Sequence, residues 1–208
     1  NIAFFTRLNR NLQVKVSSGT IFKCAEDFVD RYENIALSGF QYDYFAPSKE
    51  IRPAFLLNTR IYSCILIKND IEYRWRGKYN EDTDLSIRAL KDGWCTILFY
   101  AFLQGKIDRN IDMKGGNTDD VYANTNNRLE FAESLKNQHP EIVEVVFKFN
   151  RWHHKVNYKP FKKNKLIKKQ GIEIPNRINN YGMVLKKAEI YNVQPKNDMQ
   201  CGVGKNNI

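Results

Sequence analysis

The sequence predicts a layered α/β domain. Segments rich in β-branched and aromatic residues alternate with segments whose apolar residues recur at helical spacing, which is typical of helices packed on a sheet. Of the 208 residues, 42% are apolar and 13% aromatic, which supports one core and excludes a disordered or fibrous protein. We expect a globular domain over residues 1–170 and a loosely structured C-terminal extension over residues 171–208, which is rich in Asn, Lys and Gly.

The first half of the chain is expected to contain one helix and three strands. Residues 22–33 place Phe22, Ala25 and Val29 on one face of a helix, and residues 35–37 form a short strand before Gly39. Residues 54–67 are rich in β-branched and aromatic side chains but too long for one strand. We therefore expect two strands there, separated near Asn58.

Two more helices alternate with strands in the second half. Residues 82–91 form a helix with acids in its first turn and Gly93 as its left-handed terminator, and a strand follows over residues 94–103. Residues 128–138 form a helix that Pro140 ends. Apolar residues then alternate over residues 143–149, which predicts another strand.

We expect neither a membrane span nor a cysteine-based site. The longest apolar run, residues 97–103, is far shorter than the roughly 20 residues that a membrane helix needs. The four cysteines include no close pair, which argues against a zinc knuckle or a disulfide framework and favours free thiols. The sequence therefore predicts a cytoplasmic protein with no membrane partner.

Much of the positive charge lies in one stretch, residues 148–169, which we call the basic segment. The formal net charge is +10, and nine of the 33 Lys and Arg residues lie in this segment together with no acid. Aromatic residues alternate with the lysines, a composition typical of surfaces that hold phosphates and stack on bases. Lys162, Lys163 and Lys165 are our candidate DNA contacts, and a solvated basic tail is the alternative.

Three acids lie within four positions at the predicted start of the second helix. They are Glu81, Asp82 and Asp84. A helix N-terminus stabilises carboxylates in the ionised form, in which they can accept a proton. Asp82 is the best candidate for a general base, although spacing alone favours helix capping.

The same acids carry a resemblance to a known class of enzymes. Residues 80–88 (NEDTDLSIR), followed by Gly93 and a strand, resemble the acceptor-side acidic motif of glycosyltransferases with the GT-A fold. In inverting members, the Asp that matches Asp82 takes a proton from the acceptor hydroxyl as its oxygen attacks the anomeric carbon of a nucleotide sugar. Glu81 and Asp84 would then orient the acceptor or hold the loop.

A longer ordered series of segments, covering roughly residues 1–169, resembles the TET-associated glycosyltransferase family. The series comprises 7–11 (RLNRN), 25–29 (AEDFV), 45–47 (FAP), 57–64 (LNTRIYSC), 74–77 (RWRG), 93–96 (GWCT), 113–118 (MKGGNT) and 151–154 (RWHH). The resemblance implies a GT-A-like layered α/β/α fold with a mixed sheet. It also implies a hexosyl-type glycosyltransferase of phages and bacteria that adds sugars to hydroxymethylated DNA bases such as hydroxymethylcytosine.

The resemblance further implies a donor and a cofactor. The donor is a nucleotide sugar, commonly a UDP-sugar, and a divalent metal, Mn²⁺ or Mg²⁺, stabilises the leaving diphosphate. Family members carry an Asp-Asp step just upstream of the residue that matches Asn1, so we expect this chain to be N-terminally incomplete. Two alternatives stay open: a glycosyltransferase with a protein or carbohydrate acceptor, and a non-catalytic nucleic-acid-binding fragment.

Two histidines are candidates for the metal. His153 and His154 are expected at the end of the last core strand, where many GT-A enzymes supply a metal-ligating histidine. An imidazole nitrogen combined with a carboxylate suits Mn²⁺, or Mg²⁺ with added water. Alternatively, one ring packs and the other binds a phosphate or nothing.

The remaining candidates are a glycine-rich turn and a polar edge. The paired glycines allow backbone N–H groups to approach an anion closely, so the turn could close over the donor phosphates or the acceptor, and an ordinary turn is the alternative. Asn58, Arg60 and Arg76 are expected to contact the acceptor or the DNA. The turn consists of Lys114, Gly115, Gly116 and Asn117.

Overall fold

The computed structural model describes residues 2–9, 12–46, 52–106 and 125–173. Within these ranges the chain forms eight strands, three α-helices and two short 3₁₀ turns. The strands and helices are, in chain order, β1 (Ile2–Asn9), β2 (Leu12–Val16), α1 (Thr20–Val29), β3 (Ile35–Tyr42), β4 (Phe55–Leu57), β5 (Ile65–Ile67), α2 (Glu81–Lys91), β6 (Cys95–Lys106), α3 (Thr125–Gln138), β7 (Val143–Lys148) and β8 (Arg151–Val156). The 3₁₀ turns are Asp43–Phe45 and Lys159–Lys163.

Strand β6 is the centre of the main sheet, which has six strands. One edge of β6 pairs in parallel with β3, while the other pairs in antiparallel fashion with β4 near its start and with β1 near its end. Strand β2 continues the sheet beyond β1, and β5 continues it beyond β3. The chain therefore has the α/β class with a mixed sheet that the sequence predicts.

Helices cover both faces of this sheet. Successive strand residues point to opposite faces, and in β6 Ile97 and Phe99 pack in a cluster with Ile21 of α1. Leu98 and Tyr100 pack on the other side, in a cluster with Leu85 and Ala89 of α2. The arrangement is a layered helix–sheet–helix core.

Helix α2 is buried on two sides, and this fixes its position. Leu85 faces the sheet, whereas Ile87 and Leu90 join a second apolar cluster with Leu135 of α3 and Val143 of β7. The boundaries predicted for this helix are confirmed to within one residue. Gly93 has a φ of 90°, as expected of a left-handed helix terminator.

Strand β3 is longer than the sequence predicts. The expected strand ended before Gly39, but β3 continues to Tyr42, and all eight of its residues are buried. A strand in the middle of a covered sheet lacks the polar alternation that would have revealed its length. A Cβ atom on Gly39 would lie 2.1 Å from the carbonyl oxygen of Cys64, so this glycine permits close approach of the loop before β5 rather than ending the strand.

The expectation that His153 and His154 lie at the end of the last strand of the core sheet is wrong. Both lie within β8, which pairs with β7 alone to form a separate two-stranded sheet. The predicted strand over residues 143–149 ends at Lys148, because Phe149 and Asn150 form a tight turn with φ values of 53° and 56°. Sequence periodicity alone cannot distinguish a core strand from such a hairpin.

The basic segment is held on the protein surface instead of forming a solvated tail. After β8 and the second 3₁₀ turn, the chain runs past α1, where Lys168 bridges to Tyr32 and the backbone N–H of Lys169 donates to the carbonyl of Arg31 at 2.9 Å. Residues 174–208, nearly all of the predicted extension, lie outside the described residues. Among the described helices, none is long and apolar enough to cross a membrane.

Candidate active site

A fully buried carboxylate, Asp84, organises the start of α2. The single Nε–H of Arg76 is shared between the two oxygens of Asp84, and Arg76 Nη2 donates to Oδ1, all at 2.8–3.1 Å. Arg88, four residues further along the helix, donates from Nε to Oδ2 at 2.9 Å. Burial alone would raise the pKa of Asp84, but hydrogen bonds from His139 and Arg76 and the charge of Arg88 outweigh it and hold the pKa well below its usual range.

His139 is part of this cluster and carried no signal in the sequence. It is buried beyond the end of α3, where its Nε2 lies 2.8 Å from Asp84 Oδ1 and its Nδ1 lies 2.9 Å from Lys91 Nζ. An ammonium can only donate, so these contacts assign Nδ1 as the acceptor and Nε2–H as the donor to Asp84. A single histidine followed by proline forms no motif, and only folding joins it to a carboxylate 55 residues away.

Ser86 joins the acid cluster to the loop that carries Arg60. The backbone N–H of Ile61 donates to Ser86 Oγ at 3.1 Å, and this hydroxyl donates to the carbonyl of Asp82 at 2.9 Å. Ser86 and Ile61 are both fully buried. The relay therefore holds the residue after Arg60 against the first turn of α2, close to Asp82.

Asp82 has a different environment from Asp84, although only two residues separate them. Its Oδ1 accepts hydrogen bonds from the Thr83 backbone N–H at 2.6 Å and from Thr83 Oγ1 at 3.2 Å. Over the described ranges, no cationic side chain forms a salt bridge with Asp82. Burial raises the pKa of Asp82 and the exposed Glu81 adds to the shift, whereas Thr83 and the charge of Arg60 oppose it.

Arg60 contacts β8 and lines a cavity, and its charge acts on Asp82. Its Nη1 lies 3.3 Å from Nε2 of His154, and its guanidinium lies 4.8 Å from the centre of the Tyr62 ring. The cavity has a volume of about 300 Å³, and Asp82 is not among its lining residues. It is lined by Gln41, Phe45, Thr59, Arg60, Tyr62 and Tyr100 among others.

The two histidines of β8 face guanidinium groups. Because the Arg60 guanidinium can only donate, His154 Nε2 is an acceptor, and burial together with the charge of Arg60 lowers the pKa of His154 to about 4. Arg151 Nε donates to His153 Nε2 at 3.1 Å. Among the described residues, no group of three His, Cys, Asp or Glu side chains is placed to hold a metal ion. The described residues therefore do not fit the metal by themselves, and metal ligation by His153 or His154 stays a prediction.

Tyr158 places a polar atom at the same site. Its hydroxyl is buried and lies close to the backbone of Arg60. Among the described residues, it forms no hydrogen bond that meets the usual distance and angle criteria. Burial raises the pKa of Tyr158, and the negative charge of Asp82 adds to the shift. The phenol is therefore neutral, with an O–H available to a group that enters the site.

Buried asparagines fasten the basic segment beside this site. Asn58, 4% exposed, donates from Nδ2 to the carbonyls of Phe161 and Asn164 at 2.8 and 2.9 Å. Asn164 in turn donates to the carbonyls of Leu90 and Trp94 at 2.8 and 2.9 Å. The side-chain amide of Asn58 is therefore bonded to backbone carbonyls. Asn58 thus positions the basic segment next to the loop that carries Arg60.

The predicted DNA contacts of the basic segment are exposed. Lys162, Lys163 and Lys165 all reach solvent, on either side of the buried anchor Asn164. Arg76, also predicted to face the acceptor or DNA, instead directs its guanidinium at Asp84. The predicted phosphate-binding turn lies outside the described residues and stays a prediction. Its members are Lys114, Gly115, Gly116 and Asn117.

Comparison with known proteins adds a family match. The model of the family described as TET-Associated Glycosyltransferase matches residues 1–116, which is more than half of the chain. The match includes β1 to β6, Arg60 and the acid cluster of α2. No curated protein and no solved structure matches the chain.

We expect Asp84→Asn to lower the free energy of unfolding by about 3 kcal/mol, because it leaves the buried His139 and the half-buried Arg88 without their carboxylate. Urea denaturation followed by circular dichroism measures this change. Asp70→Asn is the matched control, since Asp70 is exposed and its ion pair with Lys68 is screened by solvent, so the change should be small. Equal, small effects of the two substitutions would show that Asp84 does not organise α2.

The low pKa of His154 predicts a loss of stability in acid. The folded state disfavours protonation, so the stabilisation is complete above about pH 6.5 and is lost as the pH falls towards about 4. Between pH 7.5 and 4.5, the free energy of unfolding should fall less in His154→Gln than in the parent, by on the order of 1–2 kcal/mol. His153→Gln, at a more open position, should change this pH dependence less. Identical pH profiles for the parent and His154→Gln would contradict the burial of a neutral imidazole.

Proposed function

Because the chain belongs to the TET-Associated Glycosyltransferase family, which makes glycosyl transfer its activity, we propose that it glycosylates a hydroxymethyl pyrimidine in DNA. The donor is a nucleotide sugar, with a UDP-sugar as our specific proposal. The observation that carries the proposal is Asp82, a half-buried carboxylate at the start of α2 with a raised pKa and no salt-bridge partner among the described residues. A carboxylate in this setting is suited to act as a base.

In the proposed reaction, Asp82 accepts the proton of the acceptor hydroxyl. The hydroxyl oxygen attacks the anomeric carbon, the bond from this carbon to the diphosphate oxygen breaks, and the nucleoside diphosphate leaves with the bonding electrons. Burial strengthens Asp82 as a base by raising its pKa, and the charge of Arg60 opposes the shift, which favours the ionised form. Direct attack of this kind inverts the anomeric configuration.

Arg60 and its cavity are suited to hold the acceptor base. The cavity, about 300 Å³, is of the size of small ligand pockets, and it combines a guanidinium with aromatic rings. The guanidinium can hydrogen-bond to the edge of a pyrimidine, while Tyr62 offers a ring face. The Ser86 relay holds the residue after Arg60 against the first turn of α2, which brings the loop of Arg60 close to the proposed base. A base in this cavity has to be extruded from its stack.

The basic segment favours DNA over a protein or carbohydrate acceptor. A neutral glycan has no phosphates for Lys162, Lys163 and Lys165 to contact. Asn58 fastens this segment to the loop of Arg60, which brings a cationic surface next to the proposed acceptor cavity. The lysines of the basic segment and the acceptor cavity can therefore contact the same DNA molecule.

The proposal assigns the donor phosphates to the turn at residues 114–117, and Mn²⁺ or Mg²⁺ as the cofactor. When bound, the metal would supply charge stabilisation to the leaving diphosphate. In the described structure His154 and His153 contact Arg60 and Arg151 instead of forming a metal site. The proposed mechanism therefore assigns no step to residues that would ligate the metal.

We expect Asp82→Asn to reduce kcat by roughly 10²- to 10⁴-fold, because an amide cannot accept the acceptor proton. The assay measures nucleoside diphosphate released by the full-length protein with duplex DNA that contains hydroxymethylcytosine. Asp70→Asn removes an exposed acid elsewhere and should retain the parental rate. An Asp82→Asn enzyme as fast as the parent would remove Asp82 from the mechanism.

The change of Lys162, Lys163 and Lys165 to Glu should weaken DNA binding. When the logarithm of affinity is plotted against the logarithm of salt concentration, the slope should become shallower by about 0.9 for each phosphate contact that is lost. Fluorescence anisotropy with labelled duplex at several salt concentrations measures this dependence. The triple change of Lys15, Lys23 and Lys68 to Glu alters the net charge equally outside the basic segment and is the control. If both triple variants bind DNA alike, the basic segment is not the DNA surface.

A further inference from the structure

We infer that the β7–β8 hairpin inserts the ring of Phe149 into the base stack of the acceptor DNA, beside the nucleotide that receives the sugar. The inference rests on the proposed function and adds to it a residue that separates stacked bases. It is carried by the backbone of the hairpin turn, the exposure of its rings, the charges that flank them and the connection of the hairpin to Arg60.

The turn places a large aromatic residue in a strained backbone conformation. Phe149 and Asn150 have φ values of 53° and 56°, and Lys148 pairs with Arg151 across them, which defines a two-residue hairpin turn of the type that favours Asn-Gly. Asn tolerates the left-handed region, but a phenylalanine there is strained because its Cβ approaches the following carbonyl oxygen too closely. Such strain in a surface turn is a reason to look for function.

The strain at Phe149 is not offset by burial of its ring. The side chain is 87% exposed, and the ring contact seen in the described structure is an edge-on approach to His153 at 6.3 Å. Phe147, 54% exposed, lies on the same hairpin and packs edge-on against Trp152 at 5.0 Å. The hairpin tip therefore presents apolar aromatic surface to solvent, where a folded chain alone gains nothing from it.

The charges around these rings fit a nucleic acid. Lys148 and Arg151 flank the turn, both are exposed, and no acid occurs between Lys148 and Lys169. Apolar rings flanked by cations match stacked bases bordered by phosphates, and proteins that unstack base steps insert such apolar wedges. This charge complementarity commits the surface to DNA, since an apolar protein partner would not need the cations.

The hairpin also has the right connection to the proposed acceptor site. His154 of β8 pairs with Val145 of β7 and contacts Arg60, and Phe149 lies four residues beyond Val145, at the tip of the hairpin. At about 3.3 Å per residue, the backbone of Phe149 is roughly 13 Å along the hairpin from the Val145–His154 pair. The buried Val143 anchors the other end of the hairpin in the core. A pyrimidine extruded towards Arg60 leaves a gap in its stack, and Phe149 is placed to fill it.

Phe149→Gly tests the inference without harm to the fold. Glycine adopts a positive φ freely, so the variant should be as stable as the parent or more stable. We expect the rate of sugar transfer to duplex DNA that contains hydroxymethylcytosine to fall at least tenfold. Transfer to a single-stranded oligonucleotide with the same modified base should be largely retained, because a single strand needs less unstacking. Asn150→Gly is the matched control, since it relaxes the same turn but keeps the ring and should keep the parental activity on duplex DNA.

A second readout reports unstacking directly. With 2-aminopurine next to the modified base, the parent and Phe149→Trp should each change its fluorescence on binding, and Phe149→Gly should not. If the parent glycosylates duplex DNA and Phe149→Gly does so equally well, the inference is overturned while the proposed function stands; the exposed rings then serve another partner, such as an acidic protein segment. If the parent transfers sugar to neither form of DNA, the proposed function fails and the inference fails with it.

Discussion

The charge of Asp84 is the constraint on which the rest of the site depends. A carboxylate removed from water has to be neutralised, and its partners come from three places: Arg76 before α2, Arg88 within it, and His139 beyond α3. These bonds join the loop before the helix, the helix and the elements packed outside it. The first turn of α2 is thereby fixed, and with it Asp82, the proposed base.

Burial shifts the pKa values of two groups influenced by Arg60 in opposite directions. It raises the pKa of the Asp82 carboxyl and lowers that of the His154 imidazole, since in both cases the charged form is the one that burial disfavours. The guanidinium favours the ionised carboxylate and the neutral ring. The charge of Arg60 therefore acts on both groups, while burial is the largest influence on the pKa of each.

The basic segment acts as a structured surface because neutral amides hold it. Lysines cannot be buried without a partner, so buried side chains such as Asn164 carry the attachment and leave the charges in water. Asn34 repeats this device, with hydrogen bonds to the backbone of Lys165 and Ile167 at 2.8 Å. The same chain continues from the hairpin that carries Phe149, so the aromatic tip and the lysines are parts of one surface.

By itself, the sequence determined the α/β class, the bounds of α2 and the presence of acids at its start, because these depend on local periodicity, capping and the glycine at position 93. Only the tertiary structure separated Asp82 from Asp84, since residues two apart in a helix point in different directions and their roles depend on what each direction meets. The tertiary structure also brought His139 to Asp84 and placed β7 and β8 in a separate hairpin. It directed the side chain of Asn58 to a backbone carbonyl. Each of these depends on contacts between residues distant in the chain, which a local sequence pattern does not encode.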